Sequence, residues 1–440
     1  MQIKLLTALT CLLLLLCQPL AAKTTIEHWQ TQQGSQVYYV YSQALPLADI
    51  RVIFDAGSAR DGDQFGIASL TSALLDTGAG TWDADTIARR FESVGAKFSS
   101  GISTDLAYLA LRSLTRKDLF DKALSTMSTI VAEPTFSDKD FERDKKIILA
   151  SLQHREESPS ALARIAFNQA LYGQHPYAHP GSGFIATITK ITSADVKAFY
   201  KQFYVSNNAT VIIVGDLDRT QAQNIANKLV AELAKGQKPE PLPLVSMPIQ
   251  GNTRHIEFPS EQTHVLSGLP GIDRKDKDYF PLVVGNHILG GSGLVSKIFG
   301  EVREKRGLAY SAYSYFSPRI RKGPFTMGLQ TRNDQAPEAL AVLNQTLIDF
   351  IATGPTETEL VAAKKNLTGG FAMRFDTNRE LTEYVAMIAF NQLPLDYLDT
   401  YKSKVSAVSK EAIKEAFQRR VLPSLLQTIT VGSRTPKPGG

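Results

Sequence analysis

Cysteine is almost absent from this chain: its 440 residues include two, Cys11 and Cys17, both among the first 22. A chain that begins near Lys23 therefore has no thiol, which excludes disulfide stapling, thiolate catalysis and cysteine-held metals. Histidine is scarce, seven in all, so a site built from several imidazoles has few residues to draw on. Beyond the first 22 residues no segment approaches the ~18 consecutive apolar residues of a membrane-spanning helix. The formal charge is +5, and +4 once Lys4 is removed with a leader; that is too mild for an electrostatic footprint on nucleic acid. Two catalytic signatures are missing as well. No G-K-[ST] follows the glycine run Gly290–Gly293, and no G-x-S-x-G occurs, so phosphate loops and nucleophile elbows are excluded.

What is present begins with a leader. Residues 1–22 carry one charged side chain, Lys4, then the run Leu12–Leu16, and end in Pro19-Leu20-Ala21-Ala22. This reads as a signal peptide cleaved after Ala22. Lipidation at Cys17 is disfavoured because Leu16 precedes it where a small residue is usual. Export combined with a cysteine-free mature chain points to a bacterial periplasm.

The full chain is 43% hydrophobic and 21% charged, enough for a large core and more than one globular unit. The clearest boundary is Lys235-Gly236-Gln237-Lys238-Pro239-Glu240-Pro241-Leu242-Pro243, followed by Pro248, a stretch too rich in proline for a helix or a central strand. It predicts domains at 23–236 and 251–440 joined by a linker at 237–250. Periodicity predicts strands at Val37–Val40 and Ile50–Phe54, helices at Phe65–Asp76 and Asp83–Val94, strands at Ala96–Ile102 and Asp105–Leu111, and helices at Leu119–Val131 and Asp138–Gln153. The second half repeats the order of helix, two strands, two helices. The helix falls at Leu294–Lys305, the strands at Ala309–Phe316 and Pro324–Gln330, and the helices at Ala336–Ile351 and Glu357–Leu367. Ser137 and Thr356 stand at matching helix N-caps. The expectation is an α+β fold of two tandem homologous domains, each a mostly antiparallel sheet packed with helices, facing across a cleft.

The helix Gly66-Ile67-Ala68-Ser69-Leu70-Thr71-Ser72-Ala73-Leu74-Leu75 resembles the zinc-site helix of the pitrilysin or insulinase family of peptidases, which reads G-[LI]-A-H-x-x-E-H-x-L. In that family two histidines on one helix face grip zinc, and the glutamate between them activates the bound water. Here Ser69 and Ala73 stand at the histidine positions and Ser72 at the glutamate. The family's third ligand, a glutamate, aligns with Ser151, or with Ala150 in a register one residue off. Other landmarks are kept: His175-Pro176-Tyr177, Tyr204-Val205-Ser206-Asn207-Asn208-Ala209-Thr210 leading to Val214-Gly215-Asp216, and Arg303-Glu304-Lys305-Arg306-Gly307-Leu308-Ala309-Tyr310-Ser311. The resemblance spans nearly all of the mature chain. It implies that Arg303 and Tyr310 face substrate, and that Gly290, Gly291 and Gly293 correspond to a substrate loop, here short.

The resemblance therefore implies a non-catalytic subunit that binds no cofactor itself. Its partner would be a homologous H-x-x-E-H peptidase subunit that carries the zinc, and the pair would hydrolyse peptides. The reading from another class is a peptide-binding or scaffold protein, like the core subunits of respiratory complexes that share this fold. Simpler roles compete for individual residues. His175 and His179 are separated by prolines and read as loop residues; His154, Glu156 and Glu157 read as a solvated helix end. Arg303, near a helix end, could satisfy carbonyls or pair with Glu301, and Tyr310 could simply pack.

Overall fold

The computed structural model describes residues 24–434; the expected leader, with Cys11 and Cys17, lies outside the described residues. Strands β1 (Glu27–Gln30), β2 (Gln36–Tyr41), β3 (Leu47–Phe54), β6 (Lys97–Ile102), β7 (Ala107–Leu114) and β8 (Ala209–Gly215) form one sheet in the order β1-β2-β8-β3-β7-β6, with a small hairpin, β4 (Gly78–Ala79) and β5 (Trp82–Asp83), outside it. A second sheet, ordered β11-β12-β10-β13-β9, takes β9 (Asn252–Glu257), β10 (Gln262–Pro270), β11 (Ala309–Phe316), β12 (Pro324–Arg332) and β13 (Gln427–Gly432). The duplication is visible in these orders. Leaving out β1, each sheet runs first strand, last strand, second, fourth, third, and in each only the first and last strands are parallel.

The helices of the first half are α1 (Ile67–Ala73), α2 (Ala84–Glu92), α3 (Lys117–Ala132), α4 (Asp138–Glu156), α5 (Pro159–Tyr172), α6 (Ser193–Phe203) and α7 (Arg219–Val230). Those of the second are α8 (Tyr279–Asn286), α9 (Ala336–Thr353), α10 (Glu357–Gly369), α11 (Asn378–Phe390), α12 (Tyr397–Ala407) and α13 (Lys410–Arg420). Ser137 accepts from the Asp140 N–H and Thr356 from the Glu359 N–H, the N-caps expected for α4 and α10. One expected helix is broken. Leu294–Lys305 is not a single α-helix, because Ser296 takes an extended conformation and caps a new turn at Lys297–Phe299, which then widens into a π-turn at Gly300–Glu304.

The halves are interlocked by an exchange of helices. Helix α5 of the first half lies on β10 and β13 of the second sheet, and α11 of the second half lies on β3 and β8 of the first. Strand β8 records this in its sequence, Ala-Thr-Val-Ile-Ile-Val-Gly. Val211 and Ile213 face the first half's own core, whereas Ile212 and Val214 face the second half. A strand covered on both faces reads as an apolar run and not as an alternation. Phe167 of α5 joins Ile429 and Val431 of the opposite sheet, and burying a side chain of that size contributes about 1.5–3 kcal/mol. Polar contacts strengthen the seam: the Asp105 carboxylate accepts from the Tyr177 hydroxyl at 2.6 Å and from the Ile320 N–H at 3.0 Å. Arg321 Nε donates to the Leu242 carbonyl at 2.7 Å, and Arg60 donates to that of Glu240 at 2.7 Å, which ties down the chain between the halves. Among the described residues no helix is long and apolar enough to cross a membrane.

Candidate functional site

Helix α1 begins at Gly66, whose φ of 101° lies in the left-handed region that favours glycine. Its opening amides are held by a distant acid: Asp61 accepts from the Gly66 N–H at 2.7 Å and from the Ala68 N–H at 3.0 Å. The Asp61 side chain is fully buried, 3.7 Å from His179 Nδ1, and the His179 ring stacks on Phe65 at 4.2 Å. Burial raises the Asp61 pKa to about 8 and lowers that of His179. The folded acid therefore holds its proton where the unfolded one, with a pKa near ~3.9, has lost it. Stability contributed by Asp61 is fully present below about pH 4 and drains away as the pH rises toward 8. Asp61→Asn, which cannot ionise, should flatten the fall in urea-unfolding free energy between pH 5 and 8; equal slopes in both proteins would contradict this protonation state.

Helix α1 packs against α4, α6 and β6. Ser69 is half-buried, and Ala73 and Ser151 are exposed. Ser72 is buried; its Oγ has no partner among the described residues, and its carbonyl accepts from Ser100 Oγ at 3.2 Å. A divalent metal held by three protein side chains needs imidazole, carboxylate or thiolate donors. Two neutral hydroxyls and a methyl group offer none, so these residues do not fit zinc. Ala150 is also exposed and has no donor atom in its side chain. Among the described residues no group of three or more His, Cys, Asp or Glu is placed to hold a metal ion. The three histidines weighed in the sequence as metal candidates face different neighbours: His175 accepts from the Tyr177 N–H and bonds the Pro243 carbonyl, His179 faces Asp61, and His154 stands exposed beside Glu157.

The structure brings Arg303 and Tyr310 together. Arg303 Nη1 donates to the Tyr310 carbonyl at 3.0 Å, and the guanidinium lies between the rings of Phe299, at 5.0 Å, and Tyr310, at 4.4 Å. A register shift between Ala309 and Ala312 lifts Tyr310 out of the ladder, and its side chain is 80% exposed. Of the simpler roles, Arg303 takes one, because it satisfies a carbonyl, that of Tyr310; the other two do not describe this geometry. Glu301 is held by Lys305 and Arg306, not Arg303, and Tyr310 is too exposed to serve as core packing. The result is a cation and a phenol on one exposed corner, pre-arranged by stacking.

The glycine run is not a loop along its whole length. His287–Gly291 extends α8 as a π-turn, and a Cβ on Gly290 would fall 2.4 Å from the Ser314 backbone nitrogen of β11. Gly290 is buried and is explained by this close approach. Gly291 and Gly293, the latter with φ of 63°, are exposed, as are Leu294 and Val295 after them.

Two family models match the chain: the insulinase (peptidase family M16) description over residues 36–182 and the peptidase M16 inactive domain over 190–367. The second begins within the first half's chain, ahead of β8, and runs through the seam between the sheets. A solved peptidase M16 inactive domain from Pseudomonas fluorescens is 35% identical, with a TM-score of 0.91, covering 94% of this chain and 100% of that one. The chain belongs to the M16 peptidase family. Within M16 it is also similar to a Helicobacter pylori protein named "non-peptidase homolog YmxG", 27% identical over 398 residues, 89% of this chain and 90% of that one. A Bacillus subtilis relative called an uncharacterized zinc protease is 23% identical, covering 81% of this chain and 86% of its own length. This M16 chain keeps the family's architecture, while its α1 and α4 lack metal-binding side chains at the ligand positions. Asp61 and His179, which anchor α1 at its start, were not legible as a site: they are 118 residues apart, and nothing in their spacing signals that they meet.

Proposed function

We propose that this chain is a non-catalytic M16 subunit that pairs in the periplasm with a zinc-bearing homologue and completes that partner's peptide cleft. The observation that carries the reading is an asymmetry. The zinc-site positions Ser69, Ser72, Ala73 and Ser151 carry no metal-binding side chains, yet Arg303 and Tyr310 are both present and stacked, Arg303 half-buried and Tyr310 exposed. A guanidinium and a phenol held in one geometry suit a carbonyl oxygen that gathers negative charge during peptide hydrolysis. Among the described residues no His, Cys, Asp or Glu group could hold a metal to activate water, so this reading puts the reacting carbonyl in a partner's site. The name of the Helicobacter pylori relative supports a role without peptidase activity, and the expected leader supports export.

The purified mature protein should hold no stoichiometric zinc and should leave unfolded peptides uncut. Mass-spectrometric metal analysis and a peptide-cleavage assay with and without chelator check this. A tightly held zinc in each chain, with chelator-sensitive cleavage by the chain alone, would sink the reading.

A further inference from the structure

Arg51 lies in β3, in register with Ile212 of β8, on the face of the first sheet that α11 covers. Its neighbours on that face, Ile53 and Ile212, belong to the apolar seam between the halves. An arginine in such a layer is costly unless its charge is matched. Arg51 has no matching carboxylate within salt-bridge distance among the described residues, and its Nε is buried without a hydrogen-bond partner. Its guanidinium rests on the Tyr108 ring at 3.9 Å, and burial lowers its pKa.

Arg51 lines a cavity of about 300 Å³ between the halves together with Arg274 and Arg319 of the second half. Each of these also has a buried guanidinium nitrogen without a partner: Nε of Arg274 and Nη1 of Arg319. Arg274 does donate to the Tyr279 hydroxyl, whereas the Arg319 guanidinium stacks on Tyr172 and Tyr177 and makes no side-chain hydrogen bond among the described residues. Two acids reach the same cavity and partly offset its cations, Asp105 acting on Arg319 and Glu383 on Arg51, and both also have closer partners. Asp105 is occupied by the Tyr177 hydroxyl and the Ile320 N–H, and Glu383 lies 3.7 Å from Arg379. The rest of the wall includes Ile53, Leu106 and Met387, and the volume is at the small end of ligand pockets, which run from about 300 to 1,000 Å³.

Three arginines face two acids around one cavity, and the excess of positive charge favours an anion. The apolar wall selects which. We propose that this cavity binds a carboxylate carried on an apolar body, with Arg51 and Arg319 on the carboxylate and Ile53, Leu106 and Met387 around the body. The C-terminal residue of a peptide and a free small carboxylate share this chemistry. The site is separate from Arg303 and Tyr310, so its test needs no second chain and fails independently of the pairing.

The test is calorimetric titration of the purified mature protein with N-acetyl-leucine, N-acetyl-alanyl-alanyl-leucine, their two C-terminal amides and inorganic phosphate. Both acids are expected to bind at millimolar or lower concentration, with each amide and phosphate at least about tenfold weaker. A tighter tripeptide identifies a peptide C-terminus as the source, and equal acids identify a free small carboxylate. Arg51→Gln and Arg319→Gln should each weaken the acids at least about tenfold. The two residues come from different halves, so loss of folding in one variant leaves the other to decide. Amides that match the acids, phosphate that matches them, acids that produce no heat, or unchanged binding in a folded variant would overturn the proposal.

Discussion

Replacing Tyr310 with Phe, or Arg303 with Ala, should lower the turnover of the reconstituted pair by roughly ten- to a thousandfold while the pair still assembles. Tyr310→Phe removes a single hydroxyl from an exposed ring and leaves the Arg303 stack in place, so the loss falls on kcat more than on KM. Arg303→Ala removes the cation and also the group that holds the Tyr310 carbonyl and ring. Its effect should be the larger. The double variant should lose less than the product of the two single losses, because the residues act as one unit. Both side chains are at least partly exposed, so changes in stability should stay within about 0.5 kcal/mol. The checks are kcat and KM of the pair, with sedimentation to confirm assembly; full activity in both variants would return the residues to a structural role.

The second large effect is a gain of metal. In Ser69→His/Ala73→His/Ser151→Glu, two imidazoles at i and i+4 on α1 and a carboxylate on the adjoining α4 restore the donor set that zinc requires. The three positions are exposed or half-buried, so the new side chains need not enter the core. The triple variant should hold one zinc per chain by metal analysis and should still cleave nothing, since Ser72 stands where the family has its general base. A folded variant without zinc would mean that α1 and α4 do not present these positions to one ion.

Periodic elements with their own caps were legible in the sequence. The two strands and two helices of the repeat are present in both halves, and Ser137 and Thr356 cap the helices they were expected to cap. The family was legible too, because its motifs are residue types at fixed spacing along the chain. What escaped was long-range. The exchange of α5 and α11 between sheets leaves only an indirect trace, the apolar run of β8, which fixes burial on both faces but not what covers them. The broken helix at Leu294–Lys305 escaped because an apolar period persists through Ser296, whose hydroxyl instead caps the next turn. The contact between Arg303 and Tyr310 required the register shift in β11, a feature set by pairing with β12. Arg51, an ordinary strand arginine in the sequence, becomes notable only when α11 closes over it.

The most direct test of the account is the peptidase turnover of the zinc-bearing M16 homologue from the same cell, measured alone and after addition of this chain. The account predicts that the homologue alone is feeble, that this chain alone is inert, and that the mixture forms a stable heterodimer with turnover at least about tenfold above the homologue's own. A homologue that is fully active alone and is neither bound nor stimulated by this chain would contradict it.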